Sequence, residues 1–164
     1  MIQLIVFLLG FAVVVRTILS AIRTFVLPRS QQENLTRYVF RAVRFVIESI
    51  ANLAGARTYA QRDRFLAFYA PLGLLTLLPV WYTLVTFGYA CMFWAVGVPT
   101  GFDAFRISGS SLLTLGFVPT EGLAQTILAF TEALNGLILV AMLIAYLPTI
   151  YAAFQRREEL VTLL

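Results

Sequence analysis

The residues of this chain best suited to chemistry lie in one short stretch, Ser110-Ser111-Leu-Leu-Thr114-Leu115-Gly116-Phe117, where hydroxyls, a glycine and an aromatic ring are set between apolar runs. The surrounding segment 101–113 is too short and too mixed to cross a bilayer, and Asp103 can cap a short helix within it. Non-helical backbone at membrane depth is tolerated only where protein or water surrounds it. A short helix followed by Thr-Leu-Gly-Phe is therefore a candidate ion filter. An ordinary extracellular loop is the alternative reading.

Other chemistries are poorly served. The chain has no His, which removes the commonest general base and metal ligand and rules out Ser-His-Asp and Cys-His arrangements within one copy. Cys91 is the only cysteine, so no intrachain disulfide or Cys-rich metal site can form. The carboxylates Asp103, Glu121 and Glu132 match no ligand spacing. No enzyme activity and no organic cofactor are expected. The net charge of +4 is carried by Arg without any Lys, and the Arg residues flank apolar spans, so a nucleic-acid partner is not expected either.

The elements that must position the stretch follow from composition. With 60% hydrophobic and 12% charged residues, against about 25% charged in ordinary soluble domains, the chain reads as an all-α membrane protein. Residues 1–28 form a first spanning helix interrupted by Arg16, Ser20 and Arg23, with a stop at Pro28. Residues 29–64 carry seven Arg and three acidic residues and form a linker. In it Arg37, Arg41, Arg44 and Glu48 recur at spacings of four, three and four, with Val39, Val43, Val46, Ile47 and Ile50 opposite. That pattern predicts an amphipathic helix lying in the cytoplasmic interface with Arg37, Arg41 and Arg44 toward anionic lipids, or packed against a neighbouring subunit.

Residues 65–154 form the central module: a span over 65–98 with Pro71 and Pro79 expected to kink it, the short helix and loop over 101–119, and a last span over 122–154. A charged tail, 155–164, opens with Arg156 and Arg157. Basic residues collect on the cytoplasmic side, so the Arg-rich linker and the tail share that side, the N-terminus is outside, and the 99–121 loop faces outward. A multi-pass protein of the inner or plasma membrane is the expectation.

With the order span, short helix, loop, span in place, Ser111-Leu-Leu-Thr114-Leu115-Gly116-Phe117 resembles the pore-loop signature of bacterial two-transmembrane potassium channels, T-x-x-T followed by V/I-G-Y/F-G. The resemblance covers roughly residues 65–154; the first span and the linker lie outside it. It implies a homotetramer in which the carbonyls of Thr114, Leu115, Gly116 and Phe117 replace the hydration shell of potassium or sodium, with the Thr114 hydroxyl innermost and Ser110 and Ser111 on the pore helix. Where the family has its second filter glycine this chain has Val118, and Pro119 follows in place of an acidic residue, so selectivity is expected to be weakened. A non-conducting scaffold or sensor that keeps the fold is the other reading.

Five further residues carry expected roles. Gly136 is either the inner-helix hinge of the family or a close-packing glycine. Pro148 bends the helix at a gate or forms a structural kink. Glu132, costly in lipid, supports the filter by bonding Ser108 or Ser110, or by pairing with Arg106. Arg23 snorkels to the interface, and Arg16 reaches a carbonyl or a carboxylate such as Glu132.

Overall fold

The computed structural model describes residues 1–26, 34–53 and 69–162, and every regular element among them is a helix. These are α1 (Ile2–Val26), α2 (Asn34–Leu53), α3 (Tyr69–Ala95), α4 (Gly101–Leu112) and α5 (Gly122–Thr162). Three contain stretches long and apolar enough to cross a membrane: Ile2–Thr24, Leu75–Ala95 and Gly122–Ala145. The shortest has 21 residues, which at about 1.5 Å per residue matches a hydrocarbon core of about 30 Å. Their outward surfaces carry Leu8, Phe11, Phe87, Phe130 and Leu137, all exposed. A surface of that kind fits lipid, since soluble monomers rarely present extended apolar patches to water.

The expected boundaries shift in three places. The 65–98 span ends at Ala95, because Gly97 at φ +107° closes the helix. There the amide of Gly97 donates to the Trp94 carbonyl and that of Val98 to the Phe93 carbonyl, both at 3.2 Å, the paired bonds of a Schellman cap. Val98 and Phe93 are both buried and supply the apolar contact that accompanies such a cap. Pro71 falls in the first turn of α3, where an amide hydrogen has no helical partner, and the helix runs unbroken through Pro79. The last helix continues to Thr162 rather than stopping at 154, so most of the charged tail is helical and Pro148 lies within it. Of the 29–64 linker, Asn34–Leu53 is helical; its remainder, with Arg57, Arg62 and Arg64, lies outside the described residues, as do Pro28 and residues 65–68.

α3 is the central post and touches each of the other four helices. Leu77, Trp81, Val85, Tyr89 and Met92 form its buried stripe, joined by Val14 and Ala21 of α1, Ile107 and Leu112 of α4, and Leu139 of α5. α1 crosses α3 glycine to glycine: a Cβ on Gly88 would lie 2.7 Å from Val14 Cγ2 and 2.9 Å from the Gly10 carbonyl oxygen, and a Cβ on Gly10 would strike the Gly88 carbonyl. Small residues allow backbones to approach closely where lipid offers no hydrophobic drive for helix association. Gly88→Leu should therefore destabilise the α1–α3 pair by about 1–3 kcal/mol, the usual cost of overpacking. A lowered thermal midpoint in detergent is the expected reading, and an unchanged midpoint would contradict the crossing.

Candidate functional site

α4 stands between α3 and α5, and its two ends are fixed differently. At the start, Thr100 is the cap: its hydroxyl oxygen accepts the Asp103 amide at 3.0 Å, and the hydroxyl donates to Asp103 Oδ2 at 2.6 Å. The expected capping role of Asp103 thus passes to Thr100, which sits three residues earlier where a side-chain oxygen can reach a free amide. Asp103 faces Arg106 Nη1 at 3.7 Å instead, and the Arg106 guanidinium lies over the Phe102 ring.

At the other end, the amide of Thr114 donates to the Ser111 carbonyl at 3.0 Å and that of Leu115 to the Ser110 carbonyl at 2.8 Å. These are again the two bonds of a Schellman cap, and Thr114 occupies its left-handed position at φ +54°. Threonine, unlike glycine, meets steric cost there. Its hydroxyl donates back to the Leu113 carbonyl at 2.8 Å. Gly116 follows at φ +67°, the second left-handed residue of the loop. Val118 keeps a negative φ, as a β-branched residue prefers.

Beyond the cap, the loop is organised by Ser110. Its carbonyl accepts the amides of Leu115 and Gly116, at 2.8 and 3.4 Å. Its hydroxyl oxygen accepts those of Phe117 and Val118, at 3.1 and 3.3 Å. Four consecutive amides thus converge on one buried serine. Among the described residues, the carbonyls of Thr114, Leu115, Gly116 and Phe117 accept no hydrogen bond, and all four residues are exposed. Ser111, the hydroxyl residue of the sequence motif, bonds the Ile107 carbonyl of its own helix at 2.9 Å and does not reach the loop.

Behind α4, the Ser108 hydroxyl lies between the Thr86 carbonyl of α3, at 3.0 Å, and the carboxyl of Glu132, to which it is also hydrogen-bonded. Glu132 is fully buried, with its Oε2 left without a hydrogen-bond partner. Of the three expected partners, Ser108 is the one it meets; Ser110 is engaged with the loop and Arg106 with Asp103. Arg16 does not reach it either and lies exposed on α1.

One turn further along α5, Gly136 backs onto the end of α4, where a Cβ would run into the Leu112 carbonyl oxygen. Its own carbonyl accepts the Tyr82 hydroxyl at 2.8 Å. Close packing accounts for this glycine. Sequence reasoning missed Tyr82 and the neighbouring Tyr89, whose hydroxyl reaches Thr131 at 3.3 Å and accepts from Asn135 at 2.9 Å. The only available signal was that a tyrosine within a span needs a partner for its hydroxyl. Pro148 lies well away from the loop, exposed on α5, and Arg37, Arg41 and Arg44 lie exposed on α2.

No protein family, curated protein or solved structure matches this chain.

Two measurements probe this arrangement. Ser110→Ala removes the acceptor of two amides, so hydrogen exchange at Phe117 and Val118 should accelerate by at least an order of magnitude, whereas Ser111→Ala should leave it unchanged. Equal acceleration in both variants would contradict the role of Ser110. For Glu132, Gln should keep the bond to Ser108 and near-native stability. Ala should cost about 1–3 kcal/mol by leaving a void and removing one of the two partners of the Ser108 hydroxyl, read from denaturation in mixed micelles.

Proposed function

We propose that the chain is a subunit of a homotetrameric cation channel, with α4 as a re-entrant pore helix and the carbonyls of Thr114, Leu115, Gly116 and Phe117 as the ion ligands. One observation carries this reading: the loop turns four successive amides inward onto Ser110 and leaves four successive carbonyls exposed and without donors. A row of unpaired carbonyl oxygens is suited to replacing the water around potassium or sodium. The resemblance of Ser111-Leu-Leu-Thr114-Leu115-Gly116-Phe117 to potassium-channel pore loops supports the same reading.

One chain supplies one loop, so the filter needs several copies about an axis. In this arrangement α3 is the outer helix and α5 the inner helix. Glu132 and Ser108 brace α4 from behind, and Pro148 lies toward the cytoplasmic mouth. The Arg-bearing α2 and the end of α5 are cytoplasmic, in the inner or plasma membrane, and the N-terminus is outside. Val118 and Pro119 shape the outer mouth without the second glycine, which favours permeation of both potassium and sodium over strict selection.

Flux into liposomes under a potassium or sodium gradient tests the proposal. The full chain should pass monovalent cations and purify as a tetramer. Gly116→Ala should abolish flux, because alanine resists the left-handed backbone at that position. Val118→Gly should raise the preference for potassium over sodium. A monomer or dimer without flux would favour the non-conducting scaffold, and equal flux in the Gly116→Ala variant would remove Thr114–Phe117 as the filter.

A further inference from the structure

α2 is held at one end of the spanning helices by two contacts. The Thr36 hydroxyl meets the Thr24 hydroxyl at 3.0 Å, at the last residue of the apolar stretch of α1. The Phe40 ring fills a notch at Gly73, where a Cβ would lie within 3.0 Å of its ring carbons, just before the apolar stretch of α3 begins at Leu75. Both contacts lie at an end of an apolar stretch, Thr24 closing that of α1 and Gly73 just ahead of that of α3, so α2 sits beside the ends of the spanning segments, at the depth of the lipid head groups. Its inward face is spent on them and on Val39 and Ile47, which are buried.

The outward face has a different chemistry. Arg37 and Arg41 are exposed one turn apart, and among the described residues neither has a carboxylate partner. Arg44 differs, since its Nε pairs with Glu48 Oε1 at 2.7 Å. Beside the two guanidinium groups stand Tyr38 and Phe45, at 66% and 71% exposure, with Arg41 over the Tyr38 ring at 5.8 Å. Two guanidinium forks suit phosphate oxygens, and large aromatic rings at the same level suit the boundary between head groups and acyl chains.

We infer that the outward face of α2 is a binding site for anionic phospholipid, with Arg37 and Arg41 holding the phosphate and Tyr38 and Phe45 set among the glycerol and upper acyl carbons. Charge complementarity selects the lipid class, and the depth of α2 selects a lipid over a soluble anion. The site does not depend on whether the chain conducts ions.

Titration of the detergent-purified full chain with short-chain phosphatidylglycerol, followed by its thermal midpoint, tests the inference. A saturable rise is expected with phosphatidylglycerol and none with the matching phosphatidylcholine or with inorganic phosphate. R37Q/R41Q should weaken the half-saturation concentration at least tenfold. R37K/R41K should retain most of the response, and R106Q, on a different helix, should behave as wild type. Because Arg37 and Arg41 are exposed, the midpoint without lipid should be the same in all these proteins. An equal rise with phosphatidylcholine, full retention in R37Q/R41Q, or a rise with inorganic phosphate alone would each overturn the assignment.

Discussion

Every amide and carbonyl that leaves a helix within a bilayer must find another partner, because hydrocarbon offers none and each unmet group costs several kcal/mol. Around Ser110 the two kinds of group are met unequally. The amides of residues 115–118 are gathered onto this one residue, while among the described residues the carbonyls of 114–117 accept no hydrogen bond. The rest of the fold can be understood as holding that serine still. α4 is short and capped at both ends, it rests on α3 and α5, and a buried carboxyl anchors the hydroxyl two residues before the serine.

Polar side chains in the interior are used sparingly and at junctions. Tyr82 ties α3 to the backbone of α5, Tyr89 ties it to Thr131 and Asn135, and Ser108 links α4 to both neighbours. Between these points the contacts are apolar or glycine-mediated. Hydrogen bonds across helices in lipid are worth about 1 kcal/mol each, so their value lies as much in fixing register as in stability. Glycine at positions 10, 88 and 136 acts in the same direction by permitting only one depth of approach.

Much of this was legible in the sequence because apolar run length is a strong signal. The three spans and the short helix between the second and third follow from residue type and run length. What escaped depended on helical phase and on partners distant in sequence. Ser110 and Ser111 are adjacent and chemically equal, and only the rotation of α4 decides which one faces the loop. Thr114 in a position that glycine ordinarily fills gives no local sign, since the cap is specified by the bonds around it. The continuation of α5 past 154 leaves no mark in apolar run length, because Arg and Glu end the apolar pattern while both remain good helix formers.

The seat of Gly136 against the Leu112 carbonyl divides α5 unequally, with roughly 20 Å of helix on one side and roughly 40 Å on the other at 1.5 Å per residue. A rod held at such a point works as a lever with its fulcrum off centre. A sideways displacement at the end of the long arm arrives at the short arm reversed and about halved, and the fulcrum itself bears on the residue from which the loop departs.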